Sequence, residues 1–526
     1  MLDILIQGGT VIDGTGRPPR PADVAIAGDR IETIDRLPGA SAARVIDAAG
    51  HVVVPGFIDM HSHADFTLPG LPTADSKLHQ GFTTEVVGNC GASPAPLTPA
   101  RRQEVIDSTG LALPPLAWDW TTFGSYLDVL TRERLSINVA PLVGHGTVRL
   151  VVMGPGDAHP TPDQLRAMAA EVRRAMDEGA IGFSTGLIYP PGVYADTDEV
   201  VELARAAGEA GGFYASHIRG EGRTLLPAIS EAIEVGRRAS VPVEISHLKA
   251  SGRANWPKMA QAIELIEQAR AESLDVTADM YPYPAGSTML AALLSPWVHA
   301  GGRERLLARL ADPADRARIR AELDEAGLGR DAGWDGILIA ACPTQPEYEG
   351  RTLAHIADGL GLSPAEAAIE ILREARGEAE MILFMMSEDN VALGLRQPWV
   401  MIGSDGEGRA TSGPYGAGKP HPRNYGTCPR FLGHYVRDDR VVSLPDAIRK
   451  LTSLPATKLG LRDRGRLEPG AAADVVVFDP ATVADTATFA EPHRYPAGIP
   501  WVLVNGDPVI ARGAHTGSRP GRALKR

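Results

Sequence analysis

The chain has 526 residues, 44% apolar and 22% charged, with a formal net charge of −13 and a pI near 5.6. Its length calls for two or more folding units, or one large barrel with an accessory domain, and its acidity argues against a nucleic-acid groove or an anionic membrane surface. Cys90, Cys342 and Cys428 are too few for a disulfide framework, and with no signal-peptide pattern and no apolar run long enough for a span the expectation is a soluble, reduced, cytoplasmic protein.

In chain order, the first strand-like runs are Ile4-Leu5-Ile6-Gln7 and Val24-Ala25-Ile26-Ala27, punctuated by hairpin turns. Similar signals return in Val475-Val476-Val477-Phe478 and Val502-Leu503-Val504-Asn505-Gly506-Asp507. Neither end is long enough for a comfortable core alone. The expectation is one small β-sandwich domain built from residues 1–55 and 465–526, with residues 56–464 inserted between its halves.

The inserted stretch alternates apolar runs ending in polar residues with helical patterns. The runs lie at 57–63, 83–90, 137–145, 180–185, 213–217, 242–247, 276–283 and 399–405. Repeated βα units on this scale predict an α/β fold, a (β/α)8 TIM-like barrel, with a doubly wound sheet as the alternative. Residues 337–341 and 381–386 also read as strands, more candidates than a barrel holds. Residues 285–345, rich in Arg, Asp and Ala, are assigned to an inserted helical subdomain and possible lid; 381–389 remains ambiguous.

Barrel active sites sit at the C-terminal strand ends, so the residues ending the runs are the ones to inspect. They are His61, His63, Cys90, His217, His247 and Asp405. Imidazole, thiolate and carboxylate are the usual zinc donors. One such histidine is commonly structural; a series at successive strand ends is hard to explain by packing, since each buried imidazole needs a partner. Cys90 alone reads more readily as a small buried apolar residue, but it ends the run next to His61 and His63 and has glycine close by. Asp405, before Gly406, is by default a turn former; beside a metal it could orient and deprotonate water. His145 is a candidate outer partner. Lys249 stands two residues past His247 and could share its face. Arg423, in a Gly/Pro-rich loop, and Arg219 compete as carboxylate binders.

The His61-Ser62-His63 motif, the later His217 and His247, and then Asp405, flanked by the split β segments, resemble the amidohydrolase superfamily. Val54-Pro55-Gly56-Phe57-Ile58-Asp59-Met60-His61 and Leu467-Glu468-Pro469-Gly470-Ala471-Ala472-Ala473-Asp474 match its segments. Lys77 is the sole lysine between His63 and His217 and is poorly placed to bridge two metals, as a carboxylated lysine does in hydantoinases. With Cys90 as its substitute, Gly88-Asn89-Cys90-Gly91, Ser216-His217-Ile218-Arg219-Gly220-Glu221-Gly222, Ser246-His247-Leu248-Lys249, Tyr281-Pro282-Tyr283 and Tyr425-Gly426-Thr427 resemble the D-aminoacylases. That resemblance implies zinc held tightly by Cys90, His217 and His247, and a second position, weakly filled or empty, at His61, His63 and Asp405. It further implies substrate binding by Lys249, Arg423, Tyr189 and either Tyr281 or Tyr283, with Ser287 in the side-chain pocket. The implied reaction is hydrolysis of N-acyl-D-amino acids, with Asp405 as base and then acid. The alternatives are a cyclic-amide hydrolase, a deacylase restricted to acidic D-amino acids, or a non-catalytic interaction protein on the same fold. A small molecule is the expected partner; oligomeric state is left open.

Overall fold

Eight parallel strands organise the middle of the chain in a computed structural model that describes residues 2–109, 116–325 and 328–525. They are β1 (Phe57–Asp59), β2 (Phe82–Val87), β3 (Asn138–Gly144), β4 (Gly182–Gly186), β5 (Tyr214–His217), β6 (Val243–Ile245), β7 (Val276–Met280) and β8 (Val400–Ile402). Each pairs with the next in sequence, the expected order for successive right-handed βα units. The nearly closed barrel is joined between β1 and β8 by Met60 N donating to Ile402 O at 3.2 Å, Asp405 N to His61 O at 2.7 Å and His63 N to Gly406 O at 3.0 Å.

The strands alternate between two cores, as period-two side chains must. Ile58, Val86, Ala140, Leu142, Phe213, Ala215 and Met401 fill one buried cluster, plugged by Ala456, Leu459 and Leu524. Val87, Val139, Val143, Phe183, Tyr214, Val243, Ile245 and Val400 pack with the surrounding helices instead. The first run is shorter than expected: β1 stops at Asp59, the backbone bends at Met60 and His61, and one more ladder contact joins Ser62 to Gly406.

The two surplus strand candidates leave the barrel. Ala285–Met289, Glu380–Phe384 and Ile337–Ala341 form an antiparallel three-stranded sheet between β7 and β8. Helices from the same stretch cover it through a separate core that includes Leu310, Ile319, Ile339, Ile369 and Met381. The segment expected to be helical thus contributes strands as well, and its pairing extends past residue 345 to Phe384.

The chain ends meet in two further sheets. One is four-stranded, from Leu2–Gln7, Asp23–Ala27, Arg30–Asp35 and Ala42–Asp47. The other is seven-stranded and mixes both ends, with Val475–Phe478 antiparallel to Val52–Pro55. Ile4, Ile26, Ile46, Val53, Val475, Val477 and Leu503 share the core between them. Among the described residues no helix is long and apolar enough to cross a membrane.

Candidate metal centre

The candidate ligands lie at or just past the C-terminal strand ends: His61 after β1, Cys90 after β2, His217 closing β5, His247 after β6 and Asp405 after β8. Cys90, His247 and Asp405 adopt φ of 54°, 35° and 51°. Such left-handed backbone costs a non-glycine residue roughly 1 kcal/mol or more, and its concentration here marks a functional site. Each turn aims a side chain inward as soon as its strand ends. Gly186 makes room for the Cys90 turn: a Cβ there would lie 2.0 Å from the Cys90 carbonyl oxygen.

Cys90 Sγ lies 3.3 Å from His61 Nε2, 3.7 Å from His217 Nδ1 and 3.5 Å from His247 Nε2. A tetrahedral ion with zinc–sulfur and zinc–nitrogen bonds of ordinary length separates S from N by about 3.5 Å. The donor set therefore fits zinc in both chemistry and spacing. Asp405 Oδ1 is 3.1 Å from His63 Nε2 and 3.5 Å from His61 Nε2. One donor atom each from His61, Cys90, His247 and Asp405 fall within 4.8 Å of one another.

Carboxylates orient the outer nitrogens. His247 Nδ1 is 3.0 Å from Glu221 Oε1 and 2.8 Å from Lys249 Nζ, while His61 Nδ1 is 3.3 Å from Asp279 Oδ2. Carboxylate–histidine pairs of this kind fix the ring and raise ligand basicity. Glu221 and Asp279 escaped the sequence reading. Their signals were a glutamate inside the motif that begins at Ser216, and an aspartate inside the buried strand β7.

Burial opposes charge throughout this site; it prevails at His217, whose imidazole pKa it lowers, while neighbours outweigh it at Cys90, Asp405 and Lys249. His61, His217 and His247 hold the Cys90 thiol well below its usual range. Arg423, His247, His61 and His63 do the same for Asp405. Glu221, Tyr281 and Asp405 overcome the desolvation of Lys249 and keep it an ammonium.

One cavity gathers His63, Cys90, Tyr189, His217, His247, Lys249, Tyr281, Ser287, Asp405 and Arg423 in its lining. Lys249 Nζ donates to Glu221 at 2.5 Å, and Arg423 Nη1 to Asp405 Oδ2 at 2.7 Å. Both cations stand over the Tyr281 ring, at 5.6 and 4.9 Å from its centroid. Tyr283 turns elsewhere, donating to Asp485 Oδ2 at 3.3 Å. Tyr189 OH meets Thr288 Oγ1 at 3.0 Å, and Ser287 Oγ donates to Met381 O at 2.9 Å.

Three expectations change. Arg423 opens the helix Arg423–Arg430 instead of riding on a loop, and His421, overlooked in the sequence, accepts its backbone N–H at 2.9 Å. Arg219 is taken by Glu231 and by the carbonyls of Val193 and Ala195, which removes it as a rival to Arg423. His145 pairs with Glu199 at 2.9 Å and, among the described residues, makes no hydrogen bond to a candidate ligand.

The profile of the amidohydrolase family matches residues 44–510. A D-aminoacylase of Alcaligenes xylosoxydans xylosoxydans is 40% identical over 100% of this chain and 98% of its own. An N-acyl-D-glutamate deacylase of the same organism is 41% identical over 100% and 97%. The crystal structure of an N-acyl-D-glutamate deacylase from Bordetella bronchiseptica, complexed with zinc and a phosphonate mimic of the tetrahedral intermediate, superposes with a TM-score of 0.84 at 37% identity, covering 100% of both chains. The chain belongs to the amidohydrolase family and, within it, to the D-aminoacylases.

Proposed function

We propose that this amidohydrolase cleaves the amide bond of N-acyl-D-amino acids, releasing a D-amino acid and a carboxylate. The observation that carries the reading is one cavity holding a cysteine–histidine cluster, Asp405 and two buried cations, Lys249 and Arg423. Cys90, His217 and His247 would hold zinc tightly; His61, His63 and Asp405 would form a second, weaker position, with Cys90 able to face both. Zinc, when bound, supplies a Lewis acid for the amide carbonyl and acidifies water.

Lys249 and Arg423 bind the α-carboxylate and so decide which face of the substrate meets the ligand cluster. Tyr281, under both cations, fixes their approach. Arg423 already donates to Asp405, so an incoming carboxylate competes for its guanidinium. Asp405 takes the proton of the attacking water at a carboxylate oxygen and returns it to the leaving amine, one group serving as base and then acid. Ser287, Met289, Glu380, Leu383 and Met385 of the inserted segment wall the cavity, which suits that segment to exclude water.

Elsewhere the cavity is lined by Phe66, Ile188, Met289, Leu383 and Met385, and its remaining charged side chains, Glu380 and Glu407, are acidic and share Arg409, two carboxylates to one guanidinium. This favours neutral D side chains over acidic ones. The test is a panel of N-acetyl D- and L-amino acids with zinc-loaded protein. D-selective turnover is expected, with kcat/KM for N-acetyl-D-leucine exceeding that for N-acetyl-D-glutamate by about tenfold or more, an expectation set by the cost of an unpaired charge in such a pocket. L-selective turnover rejects the D-amino-acid reading while sparing the amide-hydrolase class; preference for D-glutamate rejects only the neutral pocket; turnover of a hydantoin instead of linear amides selects the cyclic-amide alternative.

A further inference from the structure

We infer that Lys77 is a positioning residue for Asp405 and the His61–His63 pair, acting through a buried ammonium that clasps the first and last barrel strands behind the cavity. The inference rests on the reading of Asp405 as the proton-transfer group.

Lys77 sits on the short helix Asp75–Leu78, fully buried, and does not line the cavity. Its Nζ lies 2.9 Å from Asp59 Oδ2, 3.0 Å from Ser62 Oγ, 2.8 Å from Ser404 Oγ and 2.9 Å from Gly406 O. An ammonium has three protons, so these acceptors saturate it. Their places in the chain matter more than their number. Ser62 separates His61 from His63, and Ser404 and Gly406 flank Asp405. One charge therefore contacts the backbone or side chain next to each of the three groups.

The acceptors are themselves tied together. Ser404 Oγ donates to Asp59 Oδ2 at 2.6 Å, Ser404 N to Asp59 Oδ1 at 2.7 Å, and Ser62 Oγ to Glu85 Oε2 at 2.7 Å. This cluster lies where β1 and β8 meet, a seam carried by the bond from Met60 to Ile402, by the isolated ladder contact of Ser62 with Gly406 and by backbone bonds just past the strand ends. Asp405 holds its left-handed turn at that seam. Cys90, His217 and His247 come from β2, β5 and β6 and make no hydrogen bond to Lys77 among the described residues. Loss of the ammonium should therefore loosen one half of the site and spare the other, which a purely structural lysine would not do.

The test compares zinc-loaded parent, Lys77→Met and Ser404→Ala by zinc content, thermal melting, steady-state kinetics on N-acetyl-D-leucine, and calorimetric titration of additional Zn²⁺. Lys77→Met is expected to keep its tightly bound zinc and a KM within about twofold, to lose roughly 100-fold in kcat, the order expected of a 1 Å misplacement, and to bind the additional Zn²⁺ roughly tenfold more weakly. Ser404→Ala removes one acceptor without touching the charge and should show the same pattern at about tenfold in kcat. Parent-like kcat and parent-like binding of additional Zn²⁺ in folded Lys77→Met overturn the inference; so does a kcat loss that only tracks lost zinc. Should Lys77→Met not fold, the same criteria apply to Ser404→Ala. A parent inactive on every N-acyl-D-amino acid defeats the functional reading, while the Zn²⁺ titration still decides the role of Lys77.

Discussion

Asp405 is contacted on one oxygen by two imidazoles and on the other by the Arg423 guanidinium. Asparagine there preserves size and some hydrogen bonding but cannot accept a proton from water. Asp405→Asn should keep its zinc, measured by metal analysis, and lose about 10²–10⁴ in kcat, the usual worth of a proton-transfer group. Activity near that of the parent would remove Asp405 from the role. Cys90 is the complementary case. Cys90→Ala should lower zinc affinity by roughly 100-fold or more, judged against the 10- to 100-fold cost of removing merely an outer partner; full occupancy would return Cys90 to a small packing residue. Both residues were legible in the sequence because each ends an apolar run. Glu221 and Asp279 were not, because their importance comes from rings carried by other strands. Arg219 and Arg423 looked alike until the fold gave Glu231 to one and Asp405 to the other.

At the scale of elements, eight apolar runs were enough to announce the barrel strands, since each is buried and bounded by polar residues. The inserted sheet was less legible. Its central strand, Glu380–Phe384, pairs with segments far away in sequence, and no local signal reports such a partner. Helix contacts are equally hidden. Glu199, near the start of the helix Thr197–Glu209, accepts from His145 at 2.9 Å and Arg149 at 2.5 Å, both on the helix His145–Met153. Burial disfavours its charge, yet His145 and Arg149 prevail and hold the carboxyl below its usual value. A depressed carboxyl stabilises the fold fully above its unfolded pKa, near 4.3, and the contribution is lost as pH falls through the folded value. Glu199→Gln should thus cost about 3 kcal/mol at pH 7, because it leaves Arg149 buried beside a neutral partner. Denaturant titrations should show that gap closing below about pH 4. A gap independent of pH would mean that shape, not charge, joins the two helices.

Across the whole molecule, the base of the barrel is latched to the terminal sheets by one buried polar network. Asn138, the first residue of β3, donates to Asp474 Oδ2 at 3.2 Å and accepts from Asn505 Nδ2 at 2.8 Å. Arg464 pairs with Asp474 and donates to Asn505 Oδ1 at 2.7 Å. Asn138 belongs to the barrel, Arg464 closes it, and Asp474 and Asn505 belong to the C-terminal β segment; β3 runs away from them toward the cavity. This network joins the C-terminal β segment to the barrel that carries the site, and that segment pairs in turn with Val52–Pro55 of the N-terminal one; we propose that the two segments act as one supporting domain. Removing Asp474 leaves the Arg464 guanidinium buried without its partner, a defect worth about 3–5 kcal/mol. Asp474→Ala should lower stability by that order in chemical denaturation. Its folded, zinc-loaded fraction should keep kcat and KM within about twofold of the parent, since no candidate ligand touches the network. Adding Arg464→Met to Asp474→Ala removes the stranded charge and should recover part of the loss, because an apolar pair of similar volume often replaces a buried ion pair at little cost. If the double variant is instead the less stable by the full sum of the two single changes, the two side chains act independently. The latch would then have to be carried by Asn138 and Asn505 alone.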